Sequence, residues 1–273
     1  MQPNIPKLVT FDGEARSGKG TVVGKVKDYL RDECGHKVML IDAGQVFRVL
    51  AVGVTSEGLD INSPSVLDDY LGDESNISSN MRLVKSVYHM PKQEREALLY
   101  TDQVGIDSAK IGARPLSQEL KDMLLRKWLK DAHEDGYDTV LLDGRALEET
   151  GEMLASQKLC EYVMGLFFVC DPVVSAQRTL GHMPLPYSQL DDDFRSQVDE
   201  VVAQIEARNK SDRERPVQPV VEPDNAPTYS ITEVPEVLPD RYTRPMVIID
   251  RSIEVSMDTM ALPIAKLIAK YVE

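Results

Sequence analysis

Positive charge is in short supply: 31 Lys and Arg stand against 45 Asp and Glu, a net charge of −14 over 273 residues. Gripping a nucleic-acid backbone needs a basic surface, so nucleic acid is excluded as the expected partner, while a small anion needs only a local cluster of cations. Cysteine is scarce too. Cys34, Cys160 and Cys170 are odd in number and lack metal-ligand spacing, which argues against a disulfide framework or a cysteine metal site and points to reduced thiols. The four histidines, His36, His89, His133 and His182, stand singly and form no ligand set. No apolar run is long enough to cross a bilayer, and the first residues lack a signal-peptide layout. A soluble, cytoplasmic, monomeric protein with no membrane partner is expected. Its 42% hydrophobic content suffices, at this length, for one full core with inserted subdomains.

What is present starts with a glycine-rich run, Gly13-Glu14-Ala15-Arg16-Ser17-Gly18-Lys19-Gly20-Thr21, directly after the apolar stretch 8–11 and before a helical pattern. A strand, a glycine loop and a helix N-terminus make a phosphate cradle. Backbone N–H groups converge, the helix end carries partial positive charge, and Lys19 supplies a mobile cation for terminal phosphates. The strand–helix context and the lysine spacing set this run apart from a glycine-rich turn with no ligand. The strict pattern has Ser or Thr directly after the lysine; here Gly20 stands there, and the hydroxyl comes one residue later on Thr21.

Strand-like runs recur at 8–11, 38–41, 139–142, 166–169 and 246–249, separated by amphipathic helical patterns such as 120–130 and 173–180. This alternation predicts an α/β fold with a parallel sheet covered on both faces, ligands binding beyond the carboxyl ends of the strands. Asp12, Asp42, Asp143 and Asp250 each follow such a run and are expected on one rim. Two stretches interrupt the alternation. Residues 54–115 mix short polar and apolar pieces and read as an inserted subdomain. Residues 181–218 hold the charged helical segment 194–215, striped by Val198, Val201, Val202 and Ile205, and read as a mobile lid. The core is then 1–53, 116–180 and 246–273. The Pro-rich 219–245 is expected to be an extended, partly disordered excursion, and 256–272 a closing helix.

Arginines cluster where an anion would need them. Arg48 follows Asp42-Ala43-Gly44, Arg145 follows Asp143-Gly144, and the lid helix carries Arg208, Asp212, Arg213 and Arg215. Any one of these reads equally well as a helix ion pair or a solvated charge. Together with the phosphate loop they indicate a shared anion site, because guanidinium binds phosphate oxygens bidentately and stays ionised.

On these residues the chain resembles the bacterial cytidylate kinases, P-loop kinases of CMP and dCMP. The resemblance runs from Phe11-Asp12-Gly13 and Gly18-Lys19-Gly20-Thr21 through Asp42-Ala43-Gly44 and Phe47-Arg48, the segment 101–115, Asp143-Gly144-Arg145, and the R, D and R pattern at Arg208, Asp212 and Arg215. It implies a three-layer P-loop fold with an NMP-binding insert and a helical lid, and phosphoryl transfer from ATP to CMP or dCMP with Mg²⁺. By resemblance, the amides of residues 13–21 and Lys19 hold ATP. Asp42, Gly44, Arg48, Ser108, Arg145, Arg208 and Asp212 hold the acceptor. Arg215 and Arg178 close over the transferring group, and Mg²⁺ is held mainly through water and Thr21. Lys19, Arg145, Arg208 and Arg215 are the expected catalytic set.

Departures fall on the base. The family has serine where this chain has Ala43, aspartate where it has Ala146, and arginine where it has Gln118, with Arg114 nearby. Its base-reading serine aligns with Ser108 or Ala109. Losing one such contact costs about 1–3 kcal/mol, enough to blur base choice while the phosphate machinery stays intact. Two alternatives follow: the same chemistry on another nucleotide such as UMP, or a nucleotide-binding module without turnover. An ATPase motor or switch is disfavoured by Gly20 and by the intact lid.

Overall fold

The first strand, β1 (Lys7–Gly13), is buried at every position after Lys7, as a strand covered on both faces must be. The computed structural model describes residues 5–239, 245–253 and 257–273. After the glycine loop comes α1 (Lys19–Asp32), which buries Val22, Val23, Val26 and Leu30 at helical spacing. The edge strand β2 (Val38–Asp42) runs into α2 (Ala43–Ser56), whose N-terminus Asp42 caps by accepting the Gln45 N–H. Then follow α3 (Pro64–Gly72), α4 (Glu74–His89), α5 (Lys92–Leu99), α6 (Asp102–Gly112) and the long α7 (Pro115–Glu134). The chain continues through β3 (Thr139–Asp143), α8 (Glu148–Ser156), β4 (Glu161–Val169), α9 (Pro172–Thr179) and α10 (Asp192–Glu214). It ends with β5 (Thr228–Ser230), β6 (Met246–Asp250) and α11 (Met257–Val272).

The strands form one sheet in the order β2-β3-β1-β4-β6-β5. Every ladder from β3 across to β5 is parallel, with Phe11 opposite Asp143 and Gly13 opposite Phe168. Alternate residues divide the two faces. Val9, Phe11, Leu166 and Phe168 join α1 and α11 in the main core. On the other face Thr10 bonds the Tyr162 hydroxyl at 2.8 Å, and Gly151 of α8 lies so near the Tyr162 ring that a Cβ there would come within 2.7 Å of it. Helices therefore cover both faces, the three-layer α/β arrangement.

By contacts, residues 1–41, 129–214 and 218–273 make one unit, and residues 42–128 with 215–217 make another. The second unit is wider than the insert expected at 54–115, because α2 packs on α4, α5 and α6 around Val49, Leu50, Val87, Leu99 and Ile111.

The stretch 219–245 differs from expectation over its described part. β5 pairs with β6, and Ile231, Val234 and Leu238 enter the main core. Apolar residues placed between the prolines anchor the segment although it has almost no regular structure. Residues 240–244 and Ser256, also covered by those expectations, lie outside the described residues. Ile231 is fully buried, so Ile231→Ala should cost about 2–4 kcal/mol in urea unfolding, the size of a core deletion. A change below about 0.5 kcal/mol would mean that the segment does not pack on the core.

Candidate active site

The phosphate loop is shaped by close backbone approach. Gly13, at φ +137°, lies against the Phe168 backbone, and a Cβ there would collide with it. The next amide, Glu14 N–H, donates to the Phe168 carbonyl at 2.9 Å. Ala15 N–H donates to Asn209 Oδ1 of α10 at 2.8 Å. Arg16 and Gly18 both take positive φ, 57° and 78°, and so turn the chain into α1. Ser17 is buried, and its hydroxyl has no hydrogen-bond partner among the described residues. Lys19 opens α1, with its ammonium paired to the Asp143 carboxylate at the end of β3. Thr21 is exposed on the first turn.

A second charge cluster faces the loop. Arg145 pairs with Asp212 of α10, and Arg208 Nε lies 3.9 Å from the same carboxylate. Arg213 reaches Glu14 at 3.4 Å, and Arg16 reaches the Gln204 side-chain carbonyl at 3.4 Å. Burial pushes the Glu14 carboxyl above its ordinary value, and the Arg213 charge opposes the shift. Glu14, Arg145, Asn209, Asp212, Arg213 and Glu222 line a cavity of about 70 Å³. That holds about two waters, while ligand pockets run from roughly 300 Å³ upward. In this conformation α10 is docked on the loop.

The other rim carboxylates have local duties. Asp12 is buried and accepts the Gly13 and Leu147 N–H groups at 2.6 and 2.7 Å; burial raises its pKa despite those bonds. Asp250 accepts the Ser252 N–H at 2.8 Å. Arg178 donates to the carbonyls of Arg251 and Ile253 at 2.7 and 2.8 Å.

In the second unit, Asp42 caps α2 with one carboxylate oxygen and accepts the Tyr100 hydroxyl with the other at 2.7 Å. Burial, then the Asp42 charge, push the Tyr100 phenol up, so it stays a neutral donor. Arg48 lies 4.6 Å from the Tyr100 ring centre and donates to the Leu99 carbonyl at 2.8 Å. Gly44 sits beside the Asp42 cap, where a Cβ would come within 3.1 Å of the carboxylate. Ser108 is buried and returns its hydroxyl to the Gly105 carbonyl of its own helix. Arg114 forks onto Asp68. Gln118 donates to the Gly112 carbonyl, and its Oε1 is buried without a partner among the described residues. Arg215, directly after α10, counts with this unit.

Two loop partners carried no signal in the sequence. Asn209 is one polar residue on a polar helix. Arg251 follows the strand-end Asp250, a position that marked the carboxylate and not its neighbour. Among the described residues no three His, Cys, Asp or Glu gather as a metal cluster, and no helix is long and apolar enough to cross a membrane.

A glycine loop between β1 and α1, a lysine at the helix start, and arginines from the end of β3 and from α10 define an α/β phosphotransferase of the P-loop class. The model of the cytidylate kinase family matches residues 9–234. A cytidylate kinase of Shewanella piezotolerans is 24% identical over 83% of this chain and 88% of its own length. One of Acinetobacter baumannii is 24% identical over 78% and 84%, and one of Neisseria meningitidis 23% over 80% and 86%. A crystal structure from Chloroflexus aurantiacus aligns with 99% of this chain at 13% identity, with a TM-score of 0.39, too low to bear on the fold. The chain belongs to the cytidylate kinase family.

The Ala15–Asn209 bond is testable. Asn209→Ala leaves a buried N–H without its acceptor, a cost of about 1–3 kcal/mol. Hydrogen exchange at the Ala15 amide should rise about tenfold or more; unchanged protection would mean that α10 is not docked on the loop in solution.

Proposed function

We propose that this chain transfers the γ-phosphoryl group of ATP to CMP or dCMP, giving ADP and CDP or dCDP. The carrying observation is the loop of residues 13–21, with Lys19 at the start of α1 and its cations held by carboxylates, in a chain of the cytidylate kinase family. A phosphate oxygen of the acceptor attacks the γ-phosphorus and the bond to the ADP oxygen breaks. The attacking group is already an oxyanion, so no general base is required. The protein's contribution is position and charge.

Loop amides and the orphaned Ser17 hydroxyl receive donor phosphate oxygens, and Lys19 exchanges Asp143 for phosphate. Arg145 and Arg208, released from Asp212, and Arg48 of the second unit take phosphate oxygens. Arg215 is assigned to the transferring group, and Arg178 to the donor side. α10 is bonded to the loop through Asn209 and Arg213; in this reading it moves off the loop for binding and returns to exclude water. Thr21 and Asp143 offer hard oxygen donors, the chemistry that suits Mg²⁺ held mostly by phosphates and water. The ion supplies charge neutralisation on the donor. The corresponding pathway is pyrimidine nucleotide metabolism in the cytoplasm, with a monomeric enzyme acting on small nucleotides.

A second acceptor, such as UMP, is the alternative left open by Ala43, Ala146 and Gln118, which stand where the family carries base-contacting groups. ADP release with ATP and Mg²⁺ against a panel of nucleoside monophosphates decides between them. Turnover strongest with CMP or dCMP is expected. A peak at another nucleotide moves the substrate, and no acceptor-dependent turnover with nucleotide binding retained supports a binding module. Lys19→Ala should lower turnover about 100-fold or more, the scale of losing a preorganised charge; near-normal activity would remove the loop from the mechanism. Ala146 stands at φ +55°, a conformation aspartate adopts more readily than alanine. Ala146→Asp should therefore fold normally and raise the CMP over UMP preference by about fivefold or more. An unchanged profile would show that the base is read elsewhere.

A further inference from the structure

We propose that Arg251 is a positioning residue of the donor-phosphate loop: its guanidinium holds the Gly18–Lys19 peptide in the orientation that anion binding requires and sets a fixed positive charge beneath it. This rests on the donor-site assignment of residues 13–21. Arg251 is only 3% exposed, yet lies on no helix or strand. Its Nη1 donates to the Gly18 carbonyl at 3.0 Å, and Nη2 lies against the Met260 sulfur. A trans peptide is planar, with C=O and N–H pointing in opposite directions. The Gly18 carbonyl, held by Arg251 and by the Thr21 N–H at 3.3 Å, therefore leaves the Lys19 N–H pointing the other way. That N–H belongs to the first helical residue, where no intrahelical acceptor exists and an anion is the natural partner.

The arginine is itself held. Its N–H donates to the Val169 carbonyl at 2.9 Å, and its carbonyl receives Arg178 Nη1 at 2.7 Å and the Cys170 thiol at 3.4 Å. Arg178 thus clamps the turn after β6, and Arg251 transmits that position to the loop. The fit is mutual, because a Cβ on Gly18 would strike the Arg251 guanidinium. Guanidinium stays ionised at any working pH, so the hydrogen bond to the Gly18 carbonyl is charge-assisted.

The test compares wild type, Arg251→Met, Arg251→Lys and Lys19→Ala. The measurements are ADP-release kinetics with ATP and CMP varied in turn, calorimetric binding of inorganic tripolyphosphate, and thermal unfolding. Arg251→Met should raise KM for ATP and the tripolyphosphate Kd by roughly tenfold, the scale of a lost charged hydrogen bond. It should leave KM for CMP within about twofold, and Arg251→Lys should recover part of the loss by restoring the charge. Unchanged ATP and tripolyphosphate affinity in folded Arg251→Met would overturn the proposal. So would equal losses for both substrates that follow a lowered unfolding midpoint, since packing alone produces that. If Arg251→Met does not fold, Arg251→Lys must still raise KM for ATP by about threefold, because a point charge replaces the planar fork; a wild-type value would overturn the proposal. Failure of the donor-site assignment itself shows separately, as tripolyphosphate binding by Lys19→Ala equal to that of wild type.

Discussion

The backbone of β1 meets the backbone of β4 at Gly13 and Phe168 more closely than any side chain allows. Because Gly13 has no Cβ and takes φ +137°, the chain can leave the sheet at once, with the Glu14 N–H still tied to the Phe168 carbonyl. That departure sets where the loop begins, hence where α1 starts and where Lys19 stands. The left-handed turn at Gly18 then aims the helix N-terminus at the rim where β3 ends in Asp143. A residue with a side chain at position 13 would force the two central strands apart, and the site would lose its floor.

Three cations around the loop are paired with carboxylates. Lys19 rests on Asp143, Arg145 on Asp212, and Arg213 on Glu14. A cation withdrawn from water without a partner would cost several kcal/mol, so Asp143 and Asp212 offset the burial of Lys19 and Arg145, while Arg213 stays half-exposed. The same helix that supplies Asp212 also supplies Asn209, whose side chain occupies the Ala15 amide. One helix thereby supplies both the partner of Arg145 and the partner of the Ala15 amide.

Much of this was legible in the sequence. Strand runs at 8–11, 38–41, 139–142 and 246–249 lie within the observed strands; the interior ones are apolar because both their faces are covered, whereas the edge strand β2 is mostly half-buried. The run at 166–169 marked only the second half of β4, whose start includes the exposed Glu161 and half-buried Val163. β5 was missed: Thr228–Ser230 has three residues and no alternation, and it is a strand only because β6 pairs with it. The Pro-rich composition of 219–239 spoke for an excursion, whereas Ile231 and Leu238 bury themselves in the core. At the site, the glycine loop, the arginines, Asp143 and Asp212 were visible as residues, while the pairings among them, and Asn209 and Arg251, were not.

By itself the sequence determined the elements whose cause is local: a glycine loop after an apolar strand, a lysine opening a helix, and arginines at spacings that follow helix and strand periods. Tertiary structure alone decided which groups meet. Asn209 reaches Ala15 across 194 residues, Arg251 reaches Gly18 across 233, and Asp143 reaches Lys19 across 124. No periodicity records such contacts. They come from the strand order β3-β1-β4-β6, which brings the ends of distant segments to one rim of a parallel sheet.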